Sequence, residues 1–184
     1  MSEGSLLYID SNLIVNLWAA EYAREILLAQ PYRCAILDEP SAVPLLLWPT
    51  NGSEKELTER EAVSITSLIQ SGVLEVHQLP KEQHAQIYIK FARYISDKQT
   101  ALFTLVATQG ALLASDDKRT RRVFRLFFPD SPILSTLTLF HTWQEHDHID
   151  DTDLRKIGQM VEQRAQFLPP EDDPLFFWWR QLIK

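Results

Sequence analysis

The chain has 184 residues and a mass of 21.3 kDa, enough for one domain with a substantial core. Hydrophobic residues make up 45% and charged residues 23%, a composition that excludes a disordered chain. The net charge of −7 argues against nucleic-acid affinity spread over the whole surface, and a single cysteine excludes an intramolecular disulfide or a multi-cysteine zinc site. That residue, Cys34, reads as a small buried hydrophobe. No stretch is long and apolar enough to span a membrane, and the opening MSEGSLLYID lacks the positive region of a signal peptide. A cytoplasmic location is the resulting expectation.

Leu6-Leu7-Tyr8-Ile9 is a short apolar run that stops at Asp10-Ser11-Asn12, the pattern of a buried strand ending at the edge of a sheet. Residues 12–30 carry helix formers, with Ser11 or Asn12 as the cap and Pro31 as the stop. Residues 34–37 predict a second strand, and residues 45–48, bracketed by prolines, a short apolar helix or turn. A loop follows at 51–53. Residues 58–71 predict an amphipathic helix with Thr58 as N-cap, Glu61 as its capping-box partner and Gly72 as the stop. Further along, 73–76 read as a strand, 82–95 and 98–109 as helices, 111–114 as a strand, 118–127 as a basic helix and 133–134 as a last short strand. The remainder reads as two helices separated by Pro169-Pro170. Helices alternating with short apolar strands predict an α/β domain with a parallel sheet of four or five strands covered on both faces. The expected division is a domain over 1–140 and a helical C-terminal extension over 141–184, packed on it.

Two predicted strands end in acid, one at Asp10 and one at Ser115-Asp116-Asp117. In open α/β sheets, ligands sit beyond the carboxyl ends of the strands, so acids placed there can share a site. Carboxylates gathered without basic partners repel, and a hard cation such as Mg²⁺ or Mn²⁺ relieves that repulsion and can activate water against a phosphodiester. Each Asp can instead cap the helix that follows it.

The run Leu-Tyr-Ile-Asp10-Ser11-Asn12-Leu-Ile resembles the first motif of PIN-domain proteins, a strand ending in Asp-(Ser/Thr)-Asn before a helix. The segment from Ala101 through Gly110 and Ser115-Asp116-Asp117 to Arg122 resembles a later motif of the family: an Ala-rich helix ending in Gly, a strand ending in (Ser/Thr)-x-Asp, and a basic helix. Ile133-Leu134-Ser135-Thr136-Leu137 is similar to the small strand and turn that follow. The resemblance covers roughly residues 6 to 140. It implies a metal-dependent ribonuclease with four acids, of which Asp10 matches the first and Asp117 the last, with Asp116 beside it. Gln99 stands where the acid opening the Ala-rich helix belongs, and Leu46 falls near the remaining position. Asp97, Glu39 or Glu54 are the acids that could substitute. The resemblance therefore implies either a ribonuclease with Asp10, Asp117 and Asp116 as catalytic residues and Asp10, Asp117 and Gln99 at Mg²⁺ or Mn²⁺, or a PIN fold kept for binding nucleic acid or protein without hydrolysis. RNA, an antitoxin or other protein, and a second copy of the chain are the partners it brings into view.

Residues 118–125, Lys-Arg-Thr-Arg-Arg-Val-Phe-Arg, gather five positive charges next to the acidic pair. Arg119, Arg121 and Arg122, with Asn12 and Ser115, are the expected contacts to a phosphate backbone, while a solvated helix face is the plainer reading. His141, His146 and His148 lie among acids, where an acidic connection starting the next helix explains them better than a metal site. Leu175-Phe176-Phe177-Trp178-Trp179 is expected to pack the terminal helix on its own domain or on a second subunit, rather than to stack bases. The tail from Ile157 onward is also similar to that of some bacterial PIN-like proteins.

Overall fold

The alternation of Leu7 and Ile9 with Tyr8 decides how the first strand is buried, because successive side chains of a strand point to opposite faces. The computed structural model describes residues 4–38, 46–48, 61–80 and 82–184. Its chain-ordered strands are β1 (Leu6–Ile9), β2 (Arg33–Leu37), β3 (Leu46–Leu47), β4 (Glu61–Ala62), β5 (Leu74–His77), β6 (Leu112–Ala114) and β7 (Ile133–Leu134). Five of them form one sheet in the order β5-β2-β1-β6-β7, with every neighbour parallel. The α/β architecture expected from the alternation of elements is therefore present.

Leu7 and Ile9 face a core built with α1 (Ser11–Ala19), α2 (Ala23–Leu28) and the C-terminal helices α7 (Thr136–Asp147), α8 (Asp151–Arg164) and α9 (Phe176–Leu182). Tyr8, Ala35 and Leu113 face the other core, with Phe91 of α4 (Ala85–Ala92), Leu102 and Phe103 of α5 (Asp97–Gln109) and Phe124 of α6 (Lys118–Phe127). Helix α5 buries every residue from Thr100 to Val106, so it is enclosed rather than amphipathic. Ser96 caps its start, and Gly110 ends it at φ 61°, a left-handed conformation that costs a glycine little.

Three elements differ from the sequence expectations. The single helix over 12–30 is two helices, α1 and α2, broken where Glu21 takes φ 65°. The break is held by Arg164, whose Nη1 donates to the carbonyl of Ala19 at 3.3 Å and to Glu21 Oε1 at 2.8 Å. The helix expected over 58–71 shrinks to α3 (Thr66–Gln70), because Glu61–Ala62 pairs antiparallel with Leu46–Leu47 instead. A distant partner strand outweighs the helical pattern there, and the segment expected as a short helix or turn is the other half of that ladder. Thr58, the expected cap, lies outside the described residues. Finally, the C-terminal part holds three helices, not two, and α7 runs across the expected boundary at 140/141, so the extension is continuous with the domain.

The aromatic tail packs inward chiefly through Trp179, with Leu175 and Trp178 partly buried against the same core. Trp179 is fully buried against Phe140 and Phe167, and its Nε1 donates to Glu162 at 3.2 Å. Phe177 points out and is 76% exposed. No described helix is long and apolar enough to cross a membrane.

Candidate functional site at the strand ends

Strand order places the crevice. From β1 the sheet grows through β2 and β5 on one side and through β6 and β7 on the other, so the carboxyl ends of β1 and β6 lie at the point where the order reverses. Asp10 follows β1 and Ser115 follows β6, and the backbone joins them: Asp10 N–H donates to the carbonyl of Ala114 at 2.9 Å.

Asp10 sits at the N-cap of α1, yet its side chain makes no cap hydrogen bond. Instead Oδ2 accepts from the Ser115 hydroxyl at 3.0 Å. Ser115 Oγ also accepts from the Asp117 backbone N–H at 3.3 Å, so one hydroxyl links the first and last acids of the expected set. Asp10 is 1% exposed, and its Oδ1 has no hydrogen-bond partner. Such an atom is costly to bury and needs a charge or a donor nearby.

The other two acids serve the structure, Asp116 with both oxygens and Asp117 with one. Asp117 caps α6, with Oδ1 accepting from Thr120 N–H at 2.7 Å and from the Thr120 hydroxyl at 2.6 Å. Asp116 turns away towards α7: Oδ1 accepts from Thr136 N–H at 3.0 Å, and Oδ2 accepts from the Thr136 hydroxyl at 2.5 Å and from Asn16 Nδ2 at 3.1 Å. Burial pushes the Asp116 carboxyl above its ordinary range, against the lowering effect of the Thr136 bonds. Thus Asp116 ties the start of α7 to α1, and the expectation that it assists chemistry beside Asp117 does not match its placement. Thr136 falls in the small strand-and-turn motif, but nothing in the local pattern of Asn16 marks it as a member of this knot.

The expected cation ligands are then two carboxylates, Asp10 and Asp117, and the amide of Gln99. Gln99 is half-buried in the first turn of α5, and its side chain bonds to no described residue. Asp97 is exposed in the same turn, Leu46 lies in strand β3 instead of a helix, and Glu39 and Glu54 lie outside the described residues. Among the described residues no group of three or more His, Cys, Asp or Glu is gathered where it could hold a metal ion. Lys98, also in that turn, stands beside Asp10: its Nζ is 3.9 Å from Asp10 Oδ1 and donates to the Ser11 hydroxyl. Two carboxylates with an ammonium next to one of them do not fit Mg²⁺ or Mn²⁺, which need several oxygen ligands and negative charge.

The basic helix divides by face. Arg121 was expected to meet phosphate, but it is 1% exposed and points into the protein. Its Nη1 donates to the carbonyls of Ser115 at 3.1 Å and Leu134 at 3.4 Å, and its Nη2 pairs with Asp173 at 3.4 Å. Helical spacing sends position 121 to the buried side with Thr120 and Phe124, while Arg119 and Arg122 remain on the exposed side. Arg119 donates twice to the carbonyl of Tyr94, at 2.7 and 3.2 Å. Arg125 pairs with Asp172 at 2.5 Å. Lys118 and Arg122 are exposed and make no side-chain bond to a described residue, and Asn12 is exposed at the start of α1.

Elsewhere the structure bears out the plainer reading of the histidines. His146 contacts Asp147 at 2.7 Å, and Asp150 caps α8 by accepting from Thr152 and Asp153 N–H. A cavity of about 610 Å³ between α1, α2, α3 and α8 is lined by Trp18, Glu21, Arg24, Ser67 and Arg164 among others, residues that carry no sequence motif.

Fold and crevice together define a parallel α/β domain with an acidic switch-point site. No protein-family model, curated protein or solved structure matches this chain, so the resemblance to PIN domains stands on the order of its motifs alone.

Proposed function

We propose that this chain is a PIN-like module that binds RNA along the strand-end crevice and the exposed face of α6 without hydrolysing it. The observation that carries this reading is the use of the acids: Asp116 is engaged at both oxygens by Thr136 and Asn16, and Oδ1 of Asp117 by the first turn of α6. Lys118, Arg119 and Arg122 remain outward on the same helix, a local cationic face on a chain of net charge −7. Phosphate contacts of this kind give affinity and salt dependence without sequence preference.

The test is fluorescence anisotropy with a labelled single-stranded RNA. Replacing Lys118 and Arg122 together by Glu should weaken binding about tenfold or more and flatten the slope of log affinity against log salt by roughly 0.7 for each phosphate no longer neutralised. Absence of binding at low salt, or binding indifferent to the double substitution, would overturn the reading. The metal-dependent ribonuclease remains the second reading, favoured by one observation, the buried and unbonded Oδ1 of Asp10. RNA cleavage that requires Mn²⁺ or Mg²⁺ and disappears in Asp10→Asn would establish it instead.

A further inference from the structure

We infer that Lys98 is the resident cation of the strand-end site and takes the place beside Asp10 that a divalent ion would need. The inference goes beyond RNA binding and stands whether or not the crevice holds RNA. Three observations converge on it. The first is the carboxylate: Asp10 is 1% exposed, its Oδ2 takes the Ser115 hydroxyl, and its Oδ1 has no hydrogen bond. A buried carboxylate oxygen that no hydrogen bond reaches is costly unless a positive charge lies beside it.

The second is the position of the lysine. Ser96 caps α5, so Lys98 is the second residue of that helix, where the exposed N–H groups already make a positive end. A cation is unfavourable there unless an acid faces it. Lys98 Nζ lies 3.9 Å from Asp10 Oδ1 and is steered by its bond to the Ser11 hydroxyl, the residue after Asp10. Asp97 beside it is the favourable acid of the turn, but it is exposed and on another side of the helix. The third is that Asp116 turns away and is engaged by Thr136 and Asn16, so among the described residues Asp117 and Gln99 are the expected ligands left to join Asp10, too few to displace an ammonium already beside it.

The monovalent ammonium therefore does two things. It neutralises Asp10 without demanding the six oxygens of a hard cation, and it repels any divalent ion approaching Oδ1.

The experiment measures Mn²⁺ uptake directly, by the electron paramagnetic resonance signal of free Mn²⁺ titrated into the full chain. The unsubstituted chain should take up no Mn²⁺ in a manner that depends on Asp10. Lys98→Gln should gain a saturable site at least tenfold tighter than any uptake by the unsubstituted chain, Lys98→Arg should not, and adding Asp10→Asn to Lys98→Gln should abolish the gain. Tight uptake by the unsubstituted chain that is lost in Asp10→Asn overturns the inference, and so does a folded Lys98→Gln with no gain. If Lys98→Gln does not fold, comparison of the unsubstituted chain with Asp10→Asn still decides. The readout is metal, not RNA, so its failure is separate from failure of the anisotropy test above.

Discussion

Removing Asp173 probes the link between the C-terminal segment and the strand-end crevice. Asp173 and Arg121 are each 2% exposed at the side chain and pair at 3.4 Å. Deleting one partner of a buried pair leaves an uncompensated charge, at a typical cost of about 3–5 kcal/mol. The lower end applies here, about 3 kcal/mol, since Arg121 keeps the carbonyls of Ser115 and Leu134 as acceptors. Asp173 also accepts from Leu175 N–H at 2.9 Å, a bond worth about 1 kcal/mol more. Asp173→Ala should therefore cost about 4 kcal/mol, whereas Asp173→Asn, which keeps that acceptor, should cost about 3 kcal/mol. At about 2–4 °C per kcal/mol for a chain of this size, Tm should fall by roughly 8–16 °C for alanine. The neighbouring pair, Asp172 with Arg125, is about half exposed on both sides, so Asp172→Ala should cost about 1 kcal/mol or less. Circular dichroism melts of the three variants make the comparison. An Asp173→Ala melt within about 2 °C of the parent, or equal to Asp172→Ala, refutes the reasoning. The double replacement Arg121→Met with Asp173→Leu should be milder than either single change, because it removes both buried charges together.

Gly158 of α8 lies under Trp179, and a Cβ there would meet the ring at 3.0 and 3.3 Å. Gly158→Ala should destabilise by about 1–2 kcal/mol by overpacking, net of its gain in helix propensity, and a raised urea midpoint would contradict that. Burial pushes the Cys34 thiol and the Tyr8 phenol each up to about 12, from ordinary values of 9.0 and 10.0. A raised folded-state value means the stabilisation is complete below the ordinary value and is lost as pH rises through the raised one, so the urea midpoint should hold to about pH 9 and fall from there to pH 12. By the same burial, Cys34 should react with a thiol reagent at pH 8 only after denaturant is added; rapid reaction of the native chain would count against it. Asp116→Ala removes three acceptor contacts, two to Thr136 at the start of α7 and one to Asn16 of α1, and should cost about 2 kcal/mol, read in the same melts. A Tm unchanged within error would mean that the knot with Thr136 and Asn16 is dispensable.

The sheet was legible because its central strands β1, β2 and β6 carry short apolar runs that stop at polar residues. Gly72 and Gly110, both at positive φ, punctuate the chain as their positions predict. Pairings between distant segments were not legible. Nothing in residues 58–71 announces that Glu61–Ala62 will find Leu46–Leu47, and a helix pattern is the better local description until it does. At the crevice, sequence order located Asp10, Ser115 and Asp117, but not which carboxylate each hydroxyl and amide would claim. Arg121 and Arg122 are adjacent in sequence, and only the facing of α6 separates the buried one from the exposed one. Lys98 carried one overlooked signal: a cation in the first turn of a helix is out of place unless an acid lies across from it.

The central position of β1 has a consequence for how the molecule comes to be. Its partner on one side, β2, begins some two dozen residues later, but its partner on the other, β6, begins about a hundred residues later, with Leu7 registered against Leu112. Closing that loop must be entropically covered before the pairing returns anything, and contacts of such sequence separation slow folding. Strands β1, β2 and β5 can associate as soon as they are made, while the second long edge of β1 waits for the chain to reach Ala114. Asp10 therefore meets Ser115 late. Pulse-labelled hydrogen exchange should find the β1–β2 amides protected before the Asp10 amide, which bonds across to β6, and simultaneous protection would show that the two halves condense together.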